Sequence, residues 1–265
     1  MAALRAKPAE EVLQTALKTQ PWFAPTIDGN VLPESVAAIY DAGKQARVPL
    51  LAGWNADEAR AGVVLGKEKP SIATFTAMLK KRFGDGGGSA DAALKVYPAS
   101  SDEEALESQA AFASDMFIGY GTWKWIEEHA RTGQSPVYRY SFNREIPVTA
   151  DAKVNGQAAT AKDIGARHAG EIEYVFGTLD SVKGVKWTDA DRDLSSAMMT
   201  YWSNFAKTGN PNGRDYVRRK MLPAWARYDE GERQVMQLDE AITSTPDQFR
   251  SRYVFLDSYL KTQKP

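Results

Sequence analysis

Cysteine is absent from the 265 residues, which excludes disulfides, thiolate metal sites and a cysteine nucleophile. Histidine is scarce: only His129 and His168 occur, so a multi-histidine metal centre is excluded too. Neither sign of charge dominates. The 33 Lys and Arg face 34 Asp and Glu for a net charge of −1, which gives no footprint for nucleic acid. The basic cluster Arg218, Arg219 and Lys220 lies in a Gly- and Pro-flanked stretch and reads as a solvated loop. No apolar run approaches the roughly 18 residues of a membrane span. The first residues, MAALRAKPAEEVLQ, lack the apolar stretch of a signal peptide.

What remains is an ordinary globular composition, 43% apolar and 25% charged. A chain of this length can bury roughly 70–75% of its unfolded surface. No internal repeat, low-complexity tract or composition break divides it, which suggests one domain or a piece of one. Pro8 to Thr19 reads as a helix stopped by Pro21, and Asp28-Gly29 marks a turn within residues 21–34. Val48 to Trp54 (VPLLAGW) has the length and apolarity of a strand buried on both faces, followed by a polar loop from Asn55 to Ala61.

Helix signals follow. Ser71 precedes a helix from Ile72 to Phe83 that ends at Gly84. Ser101 and Glu104 have the spacing of a capping box and open a helix expected to run unbroken to about Arg131, closed by Gly133. Thr188 and Asp189 start another, whose Leu194, Met198, Tyr201, Trp202 and Phe205 form one apolar face, read as core. Val137 to Phe142 is a strand by its aromatic and β-branched content. Ala224–Tyr228 and Gln234–Leu238, separated by Asp229–Arg233, read as a late β-hairpin. Short buried strands between helices imply an α/β sheet covered by helices.

Two segments could carry chemistry. His168 lies in GARHAGEIEYVFG, where glycine and alanine neighbours leave its ring little steric cover. Imidazole is the side chain suited to exchange a proton near neutral pH, so His168 is the natural general base or acid, though on composition alone a lone histidine is more often structural. His129, beside Glu127 and Glu128, reads as a solvated residue near a helix C-terminus. Glu58 follows the first buried strand, where functional groups of open α/β sheets collect. A carboxylate there could orient a histidine; alternatively Asp57 and Glu58 only solvate a loop or cap a helix. A metal reading would pair His168 with Glu171 or Glu173.

These segments, taken in order, resemble the type B carboxylesterase family, the cholinesterase-like branch of the α/β hydrolases. FAPTIDGNVLP, VPLLAGWNADEARAG, SDMFIGYGTWKWIEEHARTGQSPVYRYSF, GARHAGEIEYVFG, YWSNFAKTGNPNG and LPAWARYDEGERQVMQLDE all match family stretches. Asn55, Ala59 and Ala61 vary the acid loop, and Ala169-Gly170 vary the histidine loop, leaving the key positions intact. The resemblance implies the later strands of an α/β-hydrolase sheet with flanking helices. It places the triad acid at Glu58 and the triad histidine at His168, and gives Asp115 a structural role. No metal or organic cofactor is implied, and the implied substrate is a small carboxylic ester.

The nucleophile of such a triad is missing. No G-x-S-x-G occurs. The nearest stretches, Gly87-Gly88-Ser89-Ala90-Asp91 and Gly133-Gln134-Ser135-Pro136-Val137, lack the final glycine that lets the turn pack closely. Asp85-Gly86-Gly87-Gly88 mimics an oxyanion loop but falls after the acid and reads as a linker. By resemblance, MAALRAKPAEEVLQ corresponds to a segment beyond the nucleophile. Residues 1–265 are therefore expected to be the C-terminal portion of one catalytic domain, needing the missing N-terminal half as partner and inactive alone. Any signal peptide would lie on that half, which leaves localisation open. The alternative is a non-catalytic cholinesterase-like binding module, although such a surface has no need of both Glu58 and His168.

Overall fold

A computed structural model describes residues 2–19, 24–60, 66, 68–84, 89–154, 156–215, 218–228 and 232–263. Pro21, Ala61, the Asp85–Gly88 stretch and residues 229–231 of the expected hairpin turn lie outside the described residues.

Helix α1 (Ala9–Thr19) forms where the sequence predicts it, yet it has no buried residue, and Val12, Leu13 and Leu17 are each more than half exposed. A short α2 (Val36–Asp41) is capped by Ser35. Strand β1 (Leu50–Asn55) then enters the sheet. Helices α3 (Ile72–Phe83) and α4 (Ser89–Val96) follow, the first opened by a reciprocal Ser71–Thr74 capping box. The helix expected from Ser101 to Arg131 is interrupted. It is α5 (Asp102–Ser114), a π-helical segment (Asp115–Gly119) and α6 (Tyr120–Thr132). Its capping box is also only half made: Ser101 Oγ accepts from the Glu104 N–H at 3.1 Å, while the Glu104 carboxylate accepts from the Ser100 N–H at 2.6 Å.

Strand β2 (Val137–Phe142) pairs in parallel with β1, Leu50 opposite Val137 and Asn55 opposite Phe142. A short α7 (Ile172–Phe176) and the long α8 (Asp189–Thr208) lead to β3 (Gln234–Leu238), β4 (Thr243–Pro246) and α9 (Arg250–Thr262). Strand β3 runs parallel to β2, and β4 returns antiparallel to β3, so the sheet order is β1-β2-β3-β4. The late hairpin therefore exists with different members: β3 is its first strand and β4 its second. Ala224–Tyr228 is not a strand; it lies along the sheet, with the Tyr228 N–H donating to the Val137 carbonyl at 2.7 Å. Its aromatics serve the core instead: Trp225 and Tyr228 are buried on opposite faces.

The sheet is the middle of three layers, and the strand period of two sorts its side chains. Leu50, Ala52, Trp54 and Val137 face α6 and α9, among Trp123, Ile126 and Tyr253. Tyr138 and Phe142 face α7 and α8, among Tyr174, Leu194, Met198 and Tyr201. A third core joins α3, α4, α5 and α9 through Phe75, Leu79, Tyr97, Phe112 and Leu256. At Gly53, a Cβ would lie 2.2 Å from the carbonyl oxygen of Tyr140, its partner on β2, and 2.6 Å from the Tyr140 ring, so only glycine leaves room for that ring.

Asp191 ties α8 to this frame. Its Oδ2 accepts from the Thr188 N–H at 2.8 Å in the α8 capping box. Its Oδ1 accepts from Arg144 Nε at 2.7 Å and from the Tyr174 hydroxyl at 2.9 Å. Burial pushes this carboxyl up, but Arg144, Thr188 and Tyr174 together hold it below its ordinary value of 3.8. A depressed carboxylate contributes stability that is complete above the unfolded value and drains away on acidification. Asp191→Ala should therefore cost about 3 kcal/mol near neutrality, as loss of one partner from a buried pair does. The gap between wild type and variant, measured by urea midpoints, should be constant above about pH 4 and shrink below it.

Candidate functional site

Glu58 and His168, 110 residues apart in sequence, meet at the carboxyl end of β1. His168 Nδ1 donates to Glu58 Oε2 at 2.5 Å, and the Asn55 N–H donates to Glu58 Oε1 at 2.8 Å. Both carboxylate oxygens are thus engaged, which a buried acid requires. The two partners differ in exposure. The Glu58 side chain is 4% exposed, the His168 side chain 54%. Because a carboxylate only accepts, Nδ1 carries the proton in this bond, and the lone pair of the neutral ring is left on Nε2.

The acid loop and the histidine loop are laced together. The Asp57 N–H donates to the Ala166 carbonyl at 3.1 Å, and the Ala166 N–H donates to Asp57 Oδ2 at 2.8 Å. The expectation that Asp57 could merely solvate a loop gives way to this role as a tether. Asn55, placed by sequence in a polar loop, is instead the last residue of β1 and 1% exposed. Gly165 makes the close approach possible: its φ is +64°, and a Cβ there would fall 2.3 Å from Asp57 Oδ2.

The π-helical segment forms a third wall. Ser114 Oγ, just before it, accepts from the Ala59 N–H at 3.0 Å and so holds the residue after Glu58. Phe117 presents a ring at 74° to the His168 imidazole, centroids 5.1 Å apart. Asp115 sits beneath, buried, accepting from the Tyr97 hydroxyl at 2.8 Å and lying 3.1 Å from Arg252 Nε. Burial pushes its carboxyl up to about 6, against the pull of Arg252 and Tyr97. Beside it, Arg139 is paired with Asp247, both almost wholly buried, and its guanidinium lies 4.3 Å from the centroid of the Trp54 ring.

His129 corrects its sequence reading. It is 2% exposed, and Nε2 donates to the Val48 carbonyl at 2.9 Å, fixing α6 over the entry to β1. Its acidic neighbour is no solvated face either: Glu127 accepts from Tyr228, Arg233 and Arg250. Nothing places His129 near His168. For the metal reading, Nδ1 of His168 is committed to Glu58, and Glu171 accepts from Asn55 Nδ2 at 2.5 Å. Among the described residues no group of three or more His, Cys, Asp or Glu could hold a metal ion. Two surface clefts, one around Arg144 and Glu240 and the other around Asp193 and Lys220, contain neither Glu58 nor His168.

A parallel sheet with an antiparallel edge, helices on both faces, and a buried acid beneath an exposed histidine define an α/β protein with an acid–histidine pair at its strand ends. Residues 1–255 match the model of the carboxylesterase family, and the chain belongs to that family. Carboxylesterase 1C of Rattus norvegicus is 27% identical over a 242-residue alignment that covers 86% of this chain and 41% of that protein. Para-nitrobenzyl esterase of Bacillus subtilis (strain 168) is 28% identical over 233 residues, 86% of this chain and 42% of that one. A solved PNB esterase structure superposes with a TM-score of 0.69 at 26% identity, covering 96% of this chain and 49% of that one. The shared architecture is the α/β-hydrolase fold, and the chain spans less than half the length of these proteins. Among the described residues no helix is long and apolar enough to cross a membrane.

The lacing at Gly165 can be tested against a glycine that is strained but unobstructed. Gly156 has φ +81° and nothing within 4 Å of where a Cβ would stand, whereas a Cβ at Gly165 meets Asp57. Each alanine should carry the positive-φ cost of about 1–2 kcal/mol. Gly165→Ala should cost about 1–3 kcal/mol more, because Asp57 must move. Equal losses in thermal unfolding would mean the contact is unimportant.

Proposed function

We propose that this chain supplies the acid and the general base of a serine carboxylesterase. The nucleophilic serine and the oxyanion donors would come from polypeptide outside this sequence. The observation that carries the reading is the bond from His168 Nδ1 to Glu58 Oε2, made to a buried carboxylate by a ring that itself stays half exposed. No hydrogen bond occupies His168 Nε2 among the described residues.

In this reading the serine hydroxyl is delivered to Nε2. As its oxygen attacks the ester carbonyl, the proton passes to Nε2 and the imidazolium is stabilised by Glu58 through Nδ1–H. The same proton then leaves with the alcohol as the tetrahedral intermediate collapses to an acyl-serine. Water repeats the sequence through Nε2, and the carboxylic acid departs. Phe117 packs against the imidazole and narrows the positions its ring can take.

The remaining half of the domain has places to dock. β1 pairs only with β2 among the described strands, so its second edge is open to a further strand. Helix α1 leaves Val12, Leu13 and Leu17 exposed among the described residues. We therefore read residues 1–265 as the C-terminal portion of a single catalytic domain, acting on a small carboxylic ester once assembled and inert by itself.

The test is complementation. The purified chain should show no His168-dependent hydrolysis of a short-chain nitrophenyl ester. Joined to the other half of a carboxylesterase domain bearing G-x-S-x-G, it should turn the ester over and be labelled by an organophosphate serine probe. His168→Ala should then remove at least about 10³-fold of kcat, and Glu58→Gln about 10⁴-fold through loss of the tautomer. Turnover by the isolated chain that His168→Ala abolishes would refute the divided site. An assembled protein that never takes up the probe would favour a binding module.

A further inference from the structure

Asn55 touches both halves of the acid–histidine pair. Its backbone N–H donates to Glu58 Oε1 at 2.8 Å. Its side-chain Nδ2 donates to the Arg167 carbonyl at 2.8 Å and to Glu171 Oε2 at 2.5 Å. Those two acceptors flank His168, one residue before it and three after. The orientation of the amide is fixed by its partners, since a carbonyl and a carboxylate can only accept and so must face the NH₂ group.

That orientation carries a cost. Asn55 Oδ1 is buried with no hydrogen-bond partner among the described residues. An unsatisfied buried acceptor costs about 1–3 kcal/mol. An apolar residue would avoid the cost but would leave the Arg167 carbonyl and Glu171 short of their donor. Asn55 therefore sits where local stability and histidine placement conflict, and such conflicts concentrate at functional sites.

We propose that Asn55 is the positioning residue of the pair, its backbone N–H orienting Glu58 while its amide clamps the Arg167 carbonyl and Glu171 carboxylate on either side of His168. The catalytic meaning of the clamp rests on the esterase reading above; its geometry does not. The backbone ties at Asp57 and Ala166 set the distance between the loops, and the Asn55 amide sets the height at which the imidazole arrives. Without it, the segment from Arg167 to Glu171 is held at its two ends, by the Asp57–Ala166 ties before it and by the buried Tyr174 of α7 after it.

The decisive experiment reverses the polarity of the clamp in the full 265-residue chain and reads the solvent-exchange rate of the His168 Nδ1 proton by ¹⁵N-histidine NMR. With only two histidines, the signal is assigned by its loss in His168→Gln. Asn55→Asp turns the donor into an acceptor facing two acceptors and should speed exchange about tenfold or more, the worth of a hydrogen bond to a charged group. An added negative charge alone would hold the imidazole proton more tightly, so acceleration reports position. Asn55→Asp combined with Glu171→Gln lets the new amide at 171 donate to the new carboxylate, and should restore much of the protection. Should Asn55→Asp fail to fold, Glu171→Ala at its half-buried site must produce the same acceleration.

Exchange within about twofold of wild type in Asn55→Asp, or no recovery in the double variant, overturns the proposal. The readout needs neither a serine nor turnover. Unaltered exchange beside His168-dependent esterase activity in the assembled protein removes the clamp alone, whereas an altered rate beside an assembled protein that never turns over removes the esterase reading alone.

Discussion

The carboxylate of Glu58 is the constraint on which the site is built. It is taken out of water, and the only ion-pairing partner it has among the described residues is the imidazole of His168. A buried charge persists only when its oxygens are satisfied. Glu58 has one donor from its own strand end and one from a loop that arrives 110 residues later. Everything around the pair serves that second donor. The parallel register of β1 and β2 brings the strand ends level, Gly165 lets the histidine loop come within hydrogen-bond reach of Asp57, and Ser114 pins the chain just after the acid.

The support beneath the pair is itself charged. Arg139 with Asp247, and Arg252 with Asp115, are buried in the layer that covers Trp54. Such pairs add little net stability relative to apolar packing, but breaking either leaves an uncompensated charge. They therefore resist rearrangement of α9 against the π-helical segment. That segment places an extra residue in the turn linking α5 to α6, so Ser114 and Phe117 address the acid loop and the histidine from one rigid base. π-helical insertions occur often at functional sites, and here the insertion has two identifiable contacts to show for it.

How much of this the sequence displays depends on the kind of signal. β1, β2 and α8 are visible because apolar runs and helical periodicity report burial directly. The break at Asp115 is invisible to that signal, since a π turn keeps helical composition. Strand β4 escapes it for the opposite reason: Thr243–Pro246 is polar and sits at the sheet edge, with a proline that a central strand could not hold. With that strand hidden, the aromatic Ala224–Tyr228 looks like the partner of Gln234–Leu238. His129 looks solvated because its neighbours are polar, and sequence cannot show that Tyr228, Arg233 and Arg250 converge on Glu127. Glu58 after the first buried strand and His168 among glycine and alanine are candidates from the residues alone, but only the order of several family-like segments joins them as a pair. Asn55, whose only sign is its departure from the family loop, offers no local pattern from which contacts with Arg167 and Glu171 could be read.

The distribution of satisfied and unsatisfied groups gives the chain a definite character. Around the acid and the histidine the hydrogen bonds close within this polypeptide: Glu58, Asp57 and Asn55 on one side meet Ala166, Arg167, His168 and Glu171 on the other. Apart from the buried Asn55 Oδ1, the open features among the described residues lie elsewhere, on the edge of β1 that pairs with no described strand and along α1. A site whose geometry depended on a partner would show the reverse, with loose ends at the chemistry and a finished periphery. The pair is thus held in place by this chain's own contacts, and in the reading proposed above a docking partner would have only to bring a nucleophile to Nε2. Preorganised dipoles need not reorient as charge develops, which is where such an arrangement gains its catalytic advantage. In the reading proposed above, the chain would bring an already formed acid–histidine pair to assembly, and further polypeptide would dock on the open edge of β1 and the exposed face of α1.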